Sequence, residues 1–187
     1  MWEKIILNQF NTFLLDNKHL TSHQGGNRKA HYTETLSIQL TDSVLEAMDK
    51  KQITALVLLN LSNAFDCIDH ATLLHKLSIV GASPSISNWF KSYLSSRYQY
   101  VRIGSTHSDT LPITHGVPQG AILSPLLFCI YLNDLSLATS SCNLESYVDD
   151  SKLFLSFPLI ELDAAIEKLE QDLLSVAQWC CEEGTYS

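Results

Sequence analysis

The spacing of the apolar residues predicts helices at both ends of the chain. Apolar positions recur every three or four residues over 2–15, 33–49 and 162–180, which gives a helix one apolar face. We expect Thr33 to cap the second of these helices. The predicted buried stripes are Leu36, Leu40, Val44 and Met48 in the second helix, and Leu162, Ile166, Leu169, Leu173, Val176 and Cys180 in the last.

Shorter elements are predicted in the middle of the chain. The continuous apolar run 55–59 is typical of a strand covered on both faces, and Asn60 follows at its end. Asp69 should cap a helix that stops near Gly81. Two apolar segments, 145–148 and 152–157, flank Asp149-Asp150 as in a tight hairpin. The other predicted elements are a helix over 86–94, a strand over 98–103 pairing with 110–114, and a long apolar helix over 121–135.

This mixture of helices with at least one hairpin predicts an α+β fold rather than a doubly wound parallel sheet. With 187 residues, 45% of them hydrophobic and 17% charged, the chain is long enough for one domain and is not a disordered or low-complexity sequence. Its five cysteines show no zinc-ligand spacing and favour reduced thiols. We find no signal peptide or membrane span, so an intracellular protein is expected, with nucleus and cytoplasm both open.

The net charge of −8 speaks against a nucleic-acid binder, but the charge is local. Residues 1–142 carry ten acidic and ten basic side chains, whereas residues 143–187 carry ten acidic and two basic ones. Two of the latter acids are Asp149 and Asp150. Adjacent carboxylates repel each other unless a cation lies between them, and hard divalent ions such as Mg²⁺ prefer oxygen ligands. The pair is therefore half of a candidate metal site, although two Asp in a solvated turn are also common.

Three segments, taken together and in order, resemble the reverse transcriptase domain of non-LTR (LINE-type) retrotransposons. Leu58-Leu-Asn-Leu-Ser-Asn-Ala-Phe-Asp-Cys-Ile-Asp-His70 is similar to the family's motif A, and Gly116-Val-Pro-Gln-Gly120 with the following apolar run is similar to motif B. Tyr147-Val-Asp-Asp150 is similar to motif C. The stretch Gln24-Gly-Gly-Asn-Arg-Lys-Ala-His-Tyr-Thr-Glu34 is similar to a motif of the family's fingers.

The resemblance implies a right-hand polymerase fold, with fingers over about 1–54 and mainly palm over about 55–187. Compared with the family pattern, it implies a fingers–palm fragment without a thumb. The implied reaction is addition of a deoxynucleoside triphosphate to a DNA primer on an RNA template, with two Mg²⁺ ions. No membrane partner is expected, and the oligomeric state stays open.

The resemblance also implies roles for individual residues. Asp149 and Asp150 would hold the metals, and Phe65 would lie against the sugar of the nucleotide. Gln119 and Gly120 would pack near nucleotide and template, while Arg28 and Lys29 would meet phosphates. The family's motif A aspartate is Asn60 here, which removes one anionic ligand. We therefore expect impaired or absent polymerisation. The alternatives are a noncatalytic nucleic-acid-binding or interaction module, or a relic of a decayed element.

Overall fold

The computed structural model describes residues 2–25, 33–61 and 65–183, without the side chains of residues 33 and 35. These residues form both helices and antiparallel strands, so the predicted mixture of the two is confirmed. The helices are α1 Trp2–Asp16, α2 Thr33–Asp49, α3 His70–Ile79, α4 Pro84–Leu94, α5 Ser124–Tyr131 and α6 Leu162–Glu182. The strands are β1 Gln52–Asn60, β2 Tyr98–Gln99, β3 Arg102–Ile103, β4 Thr106–His107, β5 Leu111–Pro112, β6 Asn143–Tyr147 and β7 Asp150–Pro158.

A three-stranded antiparallel sheet in the order β1-β7-β6 carries the candidate site. One face of this sheet packs into the core, where Leu144 and Leu153 join the almost entirely buried helix α5. Helices α3 and α6 close the same core. The opposite face of β1 is open, because Leu56 and Leu58 are 45% and 71% exposed. The prediction that this strand is covered on both faces was therefore wrong.

Local signals in the sequence set several element boundaries as predicted. Asp69 caps α3, since its carboxylate accepts a hydrogen bond from the Thr72 N–H at 2.7 Å. The chain leaves α3 through Gly81 in the left-handed region, at φ 85°, where glycine is favoured. Helices α1 and α6 match their predicted ranges closely. The predicted capping by the Thr33 side chain lies outside what the structure describes.

The apolar run 121–135 forms a much shorter helix than predicted. Helix α5 begins only at Ser124 and ends at Tyr131, followed by a separate 3-10 turn over Leu135–Ala138. The residues between them are held by distant partners. Asn133 bonds the Thr21 N–H and the His19 carbonyl, and Asp134 accepts from Lys76 at 2.7 Å. These long-range contacts outweigh the local preference to continue the helix.

The predicted buried stripes are confirmed in part, since Leu36 in α2 and Leu169, Val176 and Cys180 in α6 are buried. Only the end of the α2 stripe differs, because Met48 is 63% exposed and its neighbour Ala47 is buried instead. In α6, Leu162 and Ile166 are exposed, whereas Ala165 and Asp172 are buried. The first turn of α6 therefore extends beyond the core. The charged residue Asp172 lies in the middle of the buried face of this helix.

Two charged side chains are buried among the described residues, Lys76 and Asp172. Lys76 of α3 pairs with Asp134 at 2.7 Å and with Glu183 at 3.1 Å, and its ammonium lies against the rings of Tyr131 and Trp179. Asp172 of α6 accepts hydrogen bonds from the backbone N–H groups of three consecutive residues, Ser140, Ser141 and Cys142. Buried charges persist only when paired in this way. Both clusters fix α6 against the rest of the domain.

Residues 98–112 form an exposed ribbon between α4 and the loop before α5. The predicted pairing of its two arms is confirmed, since Tyr98 pairs with Pro112 and Gln99 with Leu111. The predicted continuous strand is instead two short ladders, because β3 pairs with the additional strand β4. The base of this ribbon forms one wall of a cleft, which the loop before α5 closes on the other side.

Candidate active site

The hairpin β6–β7 brings Asp149 and Asp150 to one end of the sheet. Tyr147 pairs with Asp150, so Val148 and Asp149 form a two-residue turn and Asp150 is already part of β7. Across the other side of β7, Asn60 pairs with Asp150, and the Leu61 N–H bonds the Asp149 carbonyl at 3.3 Å. The two segments that resemble motifs A and C therefore meet at this end of the sheet.

The turn of this hairpin holds an unfavourable backbone conformation. Val148 has φ 55°, in the left-handed region where a β-branched residue is strained. A positive φ at the first turn residue alone is the pattern of a type II′ hairpin turn, which usually takes glycine there. Strain of this kind concentrates at functional sites, where surrounding contacts maintain it. The Val148 N–H is held by the side-chain oxygen of Gln24 at 3.2 Å.

The segment 23–25 supports the hairpin along its outer edge, a contact that the sequence analysis did not find. The Ser146 N–H bonds the His23 carbonyl at 2.8 Å, and the Gly25 N–H bonds the Ser146 carbonyl at 2.9 Å. A Cβ atom on Gly25 would lie 2.8 Å from Leu36 and 3.3 Å from the Tyr147 ring. The turn-forming Gln24-Gly25 was the available signal, but its partner is more than 120 residues away.

Asp149 is half-buried, whereas Asp150 and Asn60 are exposed. Within the described ranges, neither carboxylate has a hydrogen-bond donor or an ion-pair partner, and no group of three His, Cys, Asp or Glu side chains is placed to hold a metal. The side chains that could ligate a metal at this end of the sheet are thus two carboxylates and one neutral amide. Two carboxylates suit one Mg²⁺, which completes its shell with water and substrate phosphates. An amide oxygen is a poor bridge between two such ions.

The two carboxylates in the segment that resembles motif A, Asp66 and Asp69, accept hydrogen bonds from other groups. Asp69 caps α3, and the Thr72 N–H lowers the pKa of its carboxyl group below the ordinary value. Asp69 also lies 3.9 Å from the His115 ring nitrogen. Asp66 accepts from Gln119, with Nε2 at 3.0 Å from each carboxylate oxygen. Both carboxylates are thus occupied away from the Asp149–Asp150 pair.

The loop that resembles motif B packs directly on the segment that resembles motif A. A Cβ atom on Gly116 would lie 2.9 Å from the Asp66 Cα, and Gly116 has φ 81°, so only glycine fits here. The Val117 N–H bonds the Phe65 carbonyl at 2.9 Å, and the Gly116 N–H bonds the Ile68 carbonyl at 2.7 Å. These bonds join the two motifs into one framework.

A cleft of about 780 Å³ lies between this loop and the base of the ribbon 98–112. Gln119 and Asp66 line it on one side, and Arg97 and Tyr98 on the other. Gly120 is exposed at φ 79°, with open space where a Cβ would lie. Of the predicted binding residues, Gln119 and Gly120 therefore lie on accessible surface. Arg28 and Lys29 lie outside the described residues.

Phe65 is partly buried and stacks on the core residue Phe128, with ring centroids 4.5 Å apart. This contact is the ordinary core packing of an aromatic residue, and it fixes the ring at the border of the core. Ser124, the first residue of α5, is also buried. Its hydroxyl donates to the Pro118 carbonyl at 2.6 Å and closes the motif B loop from within.

The fold is shared with a solved structure. A solved structure of apo telomerase from Candida tropicalis, truncated from its C-terminal domain, superposes with a TM-score of 0.62 over 92% of this chain and 39% of that one, at 14% identity. The sequence profile described as reverse transcriptase (RNA-dependent DNA polymerase) matches residues 1–184. The chain belongs to the reverse transcriptase family.

Relatives from Drosophila melanogaster mobile elements have the same domain. The probable RNA-directed DNA polymerase from transposon BS is 30% identical over 96% of this chain, and that from the mobile element jockey is 29% identical over 95%. The chain spans about a fifth of the length of either relative, 20% in both cases. The resemblance to non-LTR elements is thus confirmed. None of the helices in the described ranges has the length and apolar character needed to span a bilayer.

Proposed function

We propose that this chain is the fingers and palm portion of an RNA-directed DNA polymerase, with fingers over about 1–54 and mainly palm over about 55–187. The observation that carries the proposal is the register of the sheet, in which Asn60 lies directly opposite Asp150. The nucleotidyl-transfer site is then the end of the sheet formed by Asn60, Asp149 and Asp150. Its substrates are an RNA template, a DNA primer and deoxynucleoside triphosphates.

In this proposal, Asp149 and Asp150 hold Mg²⁺. When bound, the ions lower the pKa of the primer hydroxyl and neutralise charge on the reacting phosphate. Phe65, fixed against Phe128, limits the space beside the nucleotide sugar. Gln119, which lines the cleft, and the exposed Gly120 next to it contact the nucleotide and the template. Arg28 and Lys29 bind phosphates.

Asn60 is the reason we propose weak or absent transfer. The neutral amide offers one oxygen and no charge, whereas an aspartate would offer two oxygens and a full negative charge. Asp66 and Asp69 do not compensate, because Gln119 and the N-terminus of α3 engage them. Asp149 and Asp150 would therefore hold an ion with less negative charge around it than a site with three carboxylates would provide.

A primer-extension assay tests this proposal with oligo(dT) on poly(rA), in Mg²⁺ and separately in Mn²⁺. We expect Asn60→Asp to raise extension by a factor of at least about 100, as expected when a transition-state charge interaction is restored. The matched control is Asn143→Asp, which adds the same charge at an exposed position of β6. Asp149→Asn in the Asn60→Asp background should abolish the gain. Equal extension by the unmodified chain and by Asn60→Asp would refute the assigned site.

Asn60 also favours a second candidate function, namely binding of primer–template without extension. Titration of a fluorescent primer–template at several salt concentrations tests it, because phosphate contacts give a steep fall of affinity with salt. Binding with such a slope, together with no extension even by Asn60→Asp, would favour this noncatalytic role. Absence of both binding and extension would leave the chain as a relic of its family.

A further inference from the structure

The carboxylate of Asp66 and the side-chain amide of Gln119 connect two loops that are distant in sequence. Gln119 Nε2 lies 3.0 Å from both Asp66 oxygens, and the residues are 53 positions apart. Both line the cleft of about 780 Å³ between the loop 114–119 and the base of the ribbon 98–112. The transfer step proposed above gives Asp66 no task, so this exposed ionisable group at the cleft needs its own explanation.

The contact fixes which end of the Gln119 amide faces the cleft. An ionised carboxylate only accepts hydrogen bonds, while the amide has a donating nitrogen and an accepting oxygen. Nε2 must therefore face Asp66, and Oε1 faces away from it. The terminal torsion of glutamine is broad, so an amide without such a partner samples both orientations. Asp66 thus selects the accepting end of Gln119 for a molecule bound in the cleft.

The backbone framework around this pair does not depend on the Asp66 carboxylate. Gly116 packs against the backbone of Asp66, and the Val117 N–H bonds the carbonyl of Phe65. Both contacts remain when the side chain at position 66 is exchanged for asparagine. Because Asp66 is exposed, removing its negative charge leaves no buried group without a charged partner. The variant Asp66→Asn should therefore fold like the original chain.

We propose that Asp66 is a positioning residue, which holds Gln119 Oε1 as an acceptor for a hydroxyl or amino group of a nucleotide in the cleft. This inference rests on the proposed function, because it requires a deoxynucleoside triphosphate at this place. Sugar hydroxyls and base amino groups donate hydrogen bonds, whereas ionised phosphates only accept. Asp66 should therefore affect the affinity for a complete nucleotide and not the affinity for its triphosphate part.

The test is a pair of titrations followed by NMR of the ¹⁵N-labelled chain, one with dATP and one with inorganic triphosphate. The side-chain amide signal of Gln119 reports its orientation, and the titrations give both dissociation constants. We expect Asp66→Asn to weaken dATP binding by about 5- to 10-fold relative to triphosphate, as for loss of one oriented hydrogen bond. Using this ratio cancels the general effect of removing one negative charge. The matched control is Asp42→Asn on the exposed face of α2, which should leave the ratio unchanged.

The double variant Asp66→Asn with Gln119→Ala shows whether Asp66 acts through Gln119. It should bind dATP no more weakly than Gln119→Ala alone. A further loss in the double variant, or an equal loss for dATP and triphosphate, would overturn the positioning role in favour of a general effect on the cleft. An unchanged ratio in Asp66→Asn would overturn the inference alone. Failure of the unmodified chain to bind dATP at all would overturn it together with the proposed substrate class.

Discussion

Asp172 and the Asp149–Asp150 pair show two opposite ways of placing carboxylates in one domain. Asp172 is only 1% exposed and accepts from three backbone N–H groups and the Ser140 hydroxyl. Asp149 and Asp150 are adjacent like charges at a strained turn, without a donor among the described residues. The first arrangement stabilises the fold. The second leaves its charges available to a cation, which is what a binding site requires.

The largest expected stability effect comes from removing the satisfied carboxylate. Asp172→Ala leaves three backbone N–H groups without their acceptor inside the domain, which should lower the free energy of unfolding by about 3 kcal/mol. Urea denaturation measures the loss. Glu170→Ala on the exposed face of the same helix is the control and should cost no more than about 0.5 kcal/mol. Similar losses for both variants would contradict the structural role of Asp172.

Acid should remove the same stabilisation without a mutation. Burial alone would raise the pKa of Asp172, but the N–H groups of Ser140, Cys142 and Ser141 together lower it to about 2, from 3.8. Since the folded pKa is depressed, the stabilisation is complete above about pH 4 and is lost as the pH falls toward 2. The loss should be about 2 kcal/mol. Comparing the pH dependence of unfolding with that of Asp172→Asn isolates this contribution; parallel curves would contradict it.

Added Mg²⁺ should distinguish the Asp149–Asp150 pair from Asp172, because only the charges of the pair are available to bind a cation. If Asp149 and Asp150 bind Mg²⁺, a concentration about five times the dissociation constant should stabilise the chain by about 1 kcal/mol. Thermal unfolding with and without MgCl₂ measures this, with CaCl₂ as a comparison. The double variant Asp149→Asn with Asp150→Asn should lose the stabilisation, whereas Asp66→Asn should retain it. An equal Mg²⁺ effect in all three chains would place the ion elsewhere.

The smallest expected effect is that of removing an unpaired charge in the absence of metal. Asp149→Asn should change the free energy of unfolding by no more than about 0.5 kcal/mol, because the carboxylate has no described donor to lose and one like charge less to repel. Urea denaturation in a metal-chelating buffer measures the change. A loss comparable to that of Asp172→Ala would show that the pair is part of the structural framework.

The sequence predicts those features that depend on neighbours along the chain. The Asp69 cap, the hairpin around Asp149 and the period of α6 each follow from a few adjacent residues. The registers of the sheet, and so the meeting of Asn60 with Asp150, could be expected only through the family resemblance. The contacts of Asp172 with 140–142 and of Gln119 with Asp66 could not be predicted, because each joins loops or helices more than 29 positions apart without any periodic signal.

Errors in the sequence analysis have the same physical origin. The run 121–135 is apolar enough for one long helix, yet tertiary partners of Asn133 and Asp134 end α5 at Tyr131. The run 55–59 is apolar enough for a strand covered on both faces, yet Leu56 and Leu58 on one face of β1 are exposed. In both cases the composition of a segment indicated how apolar it is, but not which neighbours the fold would give it.

The position of β1 has a consequence for the behaviour of the chain in solution. Its nine residues form a long edge strand that contains no charged residue. Two of its own residues, Leu56 and Leu58, are exposed. Edge strands of this kind usually carry a lysine, a proline or a bulge that prevents pairing with another molecule. Because β1 has none of these, self-association through this edge should increase with protein concentration. We expect the substitution Leu56→Lys to improve solubility without affecting the Asp149–Asp150 pair.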